Sequence, residues 1–235
     1  MVSTVHTNIA RGGKAIYGAP LGILMLDTRF PRIVGDIGNP GSFDYPVIFR
    51  RMVGIGSKDA VAAHPDRARM LAALKENAEA LAAEGAVGLS TSCGFLALYQ
   101  KDLEKLSPVP VATSALLHIK ALTGKKVGVL TASAENLTPA HFAAVDAPAD
   151  TPVGGLPADS SFADTFLRNG LTLDRDAVER ETLAAARALV AKHPQIDTIV
   201  FECTNLPPYK RAVQEALGLP VYDVLDLLKD FHARL

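Results

Sequence analysis

The sequence predicts an α/β fold of two pseudo-symmetric lobes, each a mainly parallel sheet flanked by helices, with an active site in the cleft between them. Three observations carry this. Short apolar runs alternate with alanine-rich helical stretches, the pattern of β-α-β units. The only two cysteines, Cys93 and Cys203, each follow such a run and precede small polar or glycine residues. Similar lengths of chain separate Asp27 from Cys93 and Thr131 from Cys203, so each half places one thiol where a strand should hand over to a helix.

Taken in order, residues 1–16 read as an N-terminal arm, because Arg11-Gly12-Gly13-Lys14 breaks any periodic pattern. The first strand is the apolar run Leu21–Leu26, closed by Asp27-Thr28-Arg29. The stretch 27–46, with Pro31, Gly35, Gly38, Pro40, Gly41 and Pro46, is rich in breakers and reads as a binding loop or lid. A second strand is expected over 47–53. Pro65–Glu84 is a helix with Leu71, Leu74, Ala78 and Leu81 on one face, stopped by Gly85. The strand Ala86–Leu89 delivers Ser90-Thr91-Ser92-Cys93, and a helix is expected over 95–106. Val109–Val111 is a short strand and Ala115–Leu122 a helix.

Lys125–Leu130 repeats the opening strand and ends in Thr131-Ala132-Ser133. A second Gly/Pro/Asp-rich stretch covers 146–157. Helix Asp174–Lys192, strand Ile196–Phe201 with Cys203 beyond it, and helix Pro208–Leu217 complete the second half. The expected division is lobe 1 over 17–115, lobe 2 over 116–217, and a strand and helix over 218–235 packing back on lobe 1.

Composition excludes several function classes. With 24 Lys+Arg against 25 Asp+Glu, the net charge of −1 offers nothing to nucleic acid or an anionic membrane. No apolar run approaches the ~18–20 residues that span a bilayer, and the first residues lack the apolar core of a secretory signal. The expected location is cytoplasmic, where two cysteines do not form a structural disulfide. The six histidines are scattered without ligand spacing, so no metal site is expected. Gly35-Asp36-Ile37-Gly38 and Val53-Gly54-Ile55-Gly56 lack the third glycine and context of a dinucleotide fingerprint, and no cofactor is expected.

The turns Ser92-Cys93-Gly94 and Glu202-Cys203-Thr204-Asn205, with the opening run Gly22–Asp27, resemble the aspartate/glutamate/hydantoin racemase superfamily over most of the chain from about Tyr17. That resemblance implies two lobes with one thiol from each, no cofactor, a small carboxylate-bearing substrate and a homo-oligomer. Two departures stand out. Glutamate racemases have Cys-Asn-Thr at the first turn, where this chain has Cys93-Gly94-Phe95, and Cys-Thr-His at the second, where Asn205 replaces the histidine. A decarboxylase of the arylmalonate type keeps only the second cysteine, so Cys93 points away from it.

The chemistry this implies is two-base proton transfer. A thiolate at Cys93 or Cys203, stabilised by backbone N–H groups, removes an α-proton and the opposite thiol returns one. Ser92, Gly94, Thr204 and Asn205 beside the thiols, together with Asp27, Thr131 and Ser133 on the facing loops, would hold the substrate. Either cysteine alone reads as an inert core residue; a pair at equivalent strand ends does not. Asp27 also suits a turn cap, and Thr131 and Ser133 suit helix caps. Glu202 reads as a charge behind the site or an exposed strand-end residue, and is given no role. The expected function is therefore a cofactor-independent racemase or epimerase, an isomerase acting on an amino acid, hydantoin or related carboxylate. The alternatives are a cis–trans isomerase or decarboxylase using Cys203, and a catalytically silent binding protein.

Overall fold

A computed structural model describes residues 12–13 and 17–235. The expected arm at 1–16 lies, apart from Gly12 and Gly13, outside the described residues.

Two four-stranded sheets, both wholly parallel, form the frame. The first contains β1 (Leu21–Leu26), β2 (Val47–Met52), β3 (Gly88–Thr91) and β4 (Val111–Ala112), in the order β2-β1-β3-β4. The second contains β5 (Val127–Thr131), β6 (Val153–Gly155), β7 (Thr198–Phe201) and β8 (Val221–Tyr222), in the order β6-β5-β7-β8. The strands that carry the cysteines are nearly continuous apolar runs because parallel sheets are covered on both faces. β1, β3, β5 and β7 are buried along almost their whole length.

The repeat extends to register. Leu21–Leu24 pair with Gly88–Thr91, and Val127–Leu130 pair with Thr198–Phe201. Ser92 N–H then donates to Leu24 O, and Glu202 N–H to Leu130 O. Cys93 and Cys203 are thus the next residues beyond matching hydrogen bonds, each at the crevice where strand order reverses.

Between the strands lie α1 (Ser57–Ala60), α2 (Arg67–Ala83), α3 (Gln100–Leu106), α4 (His118–Ala121), α5 (Pro139–Ala144), α6 (Arg175–Lys192), α7 (Lys210–Leu217) and α8 (Val224–His232). Helices α2 and α6 cover corresponding faces of the two sheets, burying Met70, Leu74, Ala78 and Leu81 in one and Val178, Ala186 and Leu189 in the other. Asp66 and Asp174 cap them through Arg69 N–H and Ala177 N–H.

Local structure departs from expectation where the lobes meet. The helix expected over 95–106 begins as a 3-10 turn, Gly94–Tyr99, before α3, and the one expected over 208–217 begins as the 3-10 turn Pro207–Tyr209. Tighter turns are common at helix starts, and here they bring the cysteine ends of both strands close to the opposite lobe. A single π-helical turn, Ala163–Leu167, and the short α5 have no counterpart in the sequence reading. The strand–helix segment at the end of the chain divides its contacts. β8 completes the second sheet, while α8 lies against the first lobe, setting Phe231 and Leu235 on Gly88 and stacking His232 on Tyr45 at 4.1 Å. Among the described residues no helix is long and apolar enough to cross a membrane.

Leu24 and Leu130 occupy register-equivalent places on β1 and β5 and are both fully buried. Leu24→Ala and Leu130→Ala are each expected to lose about 2–5 kcal/mol of stability in urea titrations, and by similar amounts.

Candidate active site

Cys93 and Cys203 are free thiols, each 8% exposed, facing one chamber between the lobes. Ser92, Gly94, Thr204 and Asn205 line it with them, as do Leu26, Phe30, Arg32, Phe95, Phe166 and Leu167. Free space at the thiols is about 20 Å³, room for one water. Val61 and Leu167 separate this chamber from an open groove of about 410 Å³ and line both, as do Ser57 and Ala132. The groove is therefore the approach to the thiols, and the π-helical turn that carries Leu167 stands at its inner end.

The seam between the lobes fixes the two cysteine turns against each other. Thr204 Oγ1 donates to Ser92 O at 2.7 Å, while Ser92 Oγ accepts Leu26 N–H at 2.9 Å. Gly94 lies so close to the second lobe that a Cβ there would sit 2.0 Å from Glu202 O and 2.4 Å from its Oε1. Only glycine fits that position.

Glu202 is wholly buried, which rules out the reading of an exposed strand end and leaves that of a charge behind the site. Thr131 Oγ1 donates to its Oε2 at 2.6 Å, and Oε1 has no hydrogen-bond partner among the described residues. Burial pushes its carboxyl up to about 8, against the lowering effect of the Thr131 bond.

The sulfurs differ in their partners. Cys93 stands at the N-cap of the 3-10 turn without a side-chain cap bond, and the backbone N–H groups of Phe95 and Leu96 lie near its sulfur. Those donors and the Arg32 charge favour a thiolate, but burial, helped by the Glu202 charge, pushes the thiol up to about 12. Burial also drives Cys203 upward, followed by the charges of Glu202, Cys93 and Asp36. Its Sγ donates to Asn205 Oδ1 at 3.6 Å, although an Asn205 backbone N–H also reaches it. The nearby N–H groups favour thiolates, but desolvation outweighs them and raises both thiols.

The breaker-rich loop after β1 reaches this chamber. Arg32 stacks its guanidinium 4.4 Å from the Phe30 ring centroid, and its Nη1 donates to Asp36 Oδ1 at 2.6 Å. Phe30 meets Phe166 of the second lobe edge-on at 4.9 Å. Ser57 Oγ donates to Phe166 O at 2.9 Å, holding the π-helical turn over the thiols.

Three of the residues expected to hold substrate lie elsewhere. Asp27 binds Gly54 N–H at 2.8 Å and Arg51 at 3.2 Å, outside the chamber. Thr131 is turned to Glu202. Ser133 lies in the outer groove, accepting Asn136 Nδ2 at 3.0 Å. Phe30, Arg32, Asp36, Glu202 and Phe166 were missed. Arg32 was detectable as a cation in a loop already read as ligand-binding, and Asp36 stood in a Gly-Asp-Ile-Gly string considered only as a nucleotide motif.

Paired four-stranded parallel lobes are a fold shared with known racemases and decarboxylases. Solved structures share the fold: unliganded arylmalonate decarboxylase matches with a TM-score of 0.60 and 16% identity over 92% of each chain. Glutamate racemase from Thermus thermophilus matches at 0.55, with 18% identity over 92% of this chain and 80% of that one. At such identities the likeness is one of fold. No known family model matches the chain.

Sequence relatives are more specific. A dimethylsulfoniopropionate lyase of Durusdinium sp. clade D is 31% identical over 229 residues, covering 92% of this chain and 74% of the relative. Dimethylsulfoniopropionate lyase 7 of Emiliania huxleyi (strain CCMP1516) is 30% identical over 236 residues, covering 92% of this chain and 67% of the relative. Lyase 5 of the same strain is 30% identical, but the chain spans only 45% of its length. The chain belongs to the dimethylsulfoniopropionate lyase family. The expectation of a racemase, and of an isomerase, is overturned by these relatives, all named as lyases.

Glu202 makes stability depend on pH. Its folded value near 8 lies above the unfolded value of 4.5, so the folded protein binds the extra proton between them. Stability from this group is present below the unfolded value and is lost as pH rises through about 8. Unfolding midpoints should fall between pH values near 5 and near 9, and Glu202→Gln should flatten that slope. The same variant should speed alkylation of Cys93 above neutrality by up to about tenfold, since an anion beside the thiol is gone.

Proposed function

We propose that this chain is a lyase that eliminates dimethyl sulfide from dimethylsulfoniopropionate or a close sulfonium carboxylate, with Cys93 as the base. The observation that carries the reading is the family relationship, joined to a nearly buried thiol with backbone N–H groups near it in a small chamber between the lobes.

The substrate has a carboxylate on its α-carbon and a sulfonium on the β-carbon. A Cys93 thiolate takes an α-proton. The C–H electron pair becomes the Cα–Cβ double bond as the Cβ–S bond breaks, and that bond's pair leaves on sulfur. Acrylate and neutral dimethyl sulfide result, with Cys93 left as a thiol that returns its proton to solvent before the next turnover. The leaving group departs neutral and needs no acid. One base is therefore enough, where racemisation needs two.

A thiol near 12 is a poor base in the unliganded chamber. The substrate itself changes that. A sulfonium brought beside the sulfur supplies an opposite charge in a low-dielectric site, which favours the thiolate. Arg32 and the hydroxyl and amide groups of Ser92, Thr204 and Asn205 are the polar groups available to the carboxylate, whose negative charge grows as the proton leaves. Space for one water does not admit such a molecule, so binding displaces Leu167 and Phe166 from over the thiols.

Dimethyl sulfide released from dimethylsulfoniopropionate, followed by gas chromatography, is the direct test. Cys93→Ala should abolish release by at least about a hundredfold, the usual worth of a general base. Release that survives Cys93→Ala unchanged would remove Cys93 from the mechanism, and no release from a panel of sulfonium carboxylates would remove the lyase reading.

A further inference from the structure

Asp36 sits in the loop between β1 and β2, far along the chain from either cysteine, yet is 1% exposed. Both carboxylate oxygens are engaged. Oδ1 accepts Arg32 Nη1 at 2.6 Å and Gly38 N–H at 2.7 Å, and Oδ2 accepts Asn205 Nδ2 at 2.6 Å. A carboxylate only accepts, so it dictates which end of the Asn205 amide faces it. The amide oxygen is thereby turned to Cys203 Sγ, 3.6 Å away. Amide oxygens also only accept, so this contact requires S–H and opposes a thiolate. Backbone N–H groups lie near both sulfurs, those of Phe95 and Leu96 at Cys93 and that of Asn205 at Cys203. Within a nearly symmetric frame, the two thiols differ by the side-chain acceptor that Cys203 meets.

We propose that Asp36 is a positioning residue: by orienting Asn205 it holds Cys203 as a hydrogen-bond-donating thiol, so that proton abstraction falls on Cys93 in every turnover. The assignment of abstraction to Cys93 rests on the lyase reading. The control of Cys203 by Asp36 does not.

The substitution Asp36→Asn tests this sharply. Arg32 and Gly38 both donate to Oδ1, so the new amide would place its oxygen there and its NH2 toward Asn205. Two NH2 groups cannot face each other, and Asn205 must turn its own NH2 to Cys203, reversing the polarity. The Asp36 charge is lost with this change, while the Glu202 and Cys93 charges that bear on Cys203 are left in place.

Alkylation by iodoacetamide, resolved for each cysteine by mass spectrometry across pH on the full chain, gives the readout. Asp36→Asn should lower the midpoint for Cys203 by about one pH unit, or roughly tenfold in rate at fixed pH, with the Cys93 profile little changed. In a protein already carrying Asn205→Ala the same substitution should act only through lost charge and shift Cys203 much less. Asp36→Glu, which can still accept from Asn205, should restore most of the original profile. Equal shifts with and without Asn205→Ala would reduce Asp36 to a charge and overturn the proposal, as would no shift at all. If Asp36→Asn does not fold, Asn205→Ala alone should still lower the Cys203 midpoint by removing its acceptor, and an unchanged midpoint there overturns the proposal too. Thiol titration is read without any substrate, so its outcome is separate from that of the lyase assay.

Discussion

The close approach of Gly94 to Glu202 is the constraint on which the rest of the site depends. With no side chain on one strand end, the backbone and carboxyl of the other can press against it, and Thr204 bonds across to Ser92. The thiols, which belong to separate sheets, then share one small chamber. The arrangement has an electrostatic cost, because Glu202 is taken out of water with one oxygen unpartnered. That buried acid sits beside both sulfurs and adds to the burial that opposes their ionisation.

Symmetry and its breaking divide the labour. Strand order, register and the placement of both cysteines are duplicated. The groups touching the sulfurs are not. Backbone donors lie near both, but Cys203 also meets a side-chain acceptor anchored by a loop aspartate. A duplicated frame suits a reaction that takes and returns a proton on opposite faces. Unequal thiols suit one that takes a proton and expels a leaving group, as the lyase relatives imply. The same scaffold can serve either because what changes is the hydrogen-bonding around the sulfur, not the position of the sulfur.

The frame was legible in the sequence because buried parallel strands leave a strong signature: short aliphatic runs, ended by glycine or small polar residues, between long alanine-rich helices. The cysteines were legible as a pair from their equivalent places. Even so, a further sign of duplication passed unread: tyrosines at equal distances beyond each cysteine, Tyr99 and Tyr209, both closing 3-10 turns with buried hydroxyls. β6 was hidden because two of its three residues, Gly154 and Gly155, disfavour strands and become one by pairing with β5. Glu202 and Asp36 were misjudged for a common reason. Acidic residues are seldom buried, and nothing local to either one announces the partner, across the seam or along a distant loop, that makes burial tolerable. The racemase expectation failed on a different point, since thiol positions set what can be deprotonated and not what leaves afterwards.

The crossing of α8 from the second sheet to the first lobe bears on how the protein is made. Phe231 and Leu235 cover Gly88 of β3, and His232 bonds to Ala19 O just before β1. The first lobe is synthesised before the second, yet part of its cover lies beyond the second lobe in the chain. Until that cover is made, β3 keeps an apolar face open to solvent, and the earlier lobe waits in an incomplete state for the later one. The two halves, alike in plan, are therefore not independent in folding: the one that begins first is finished last.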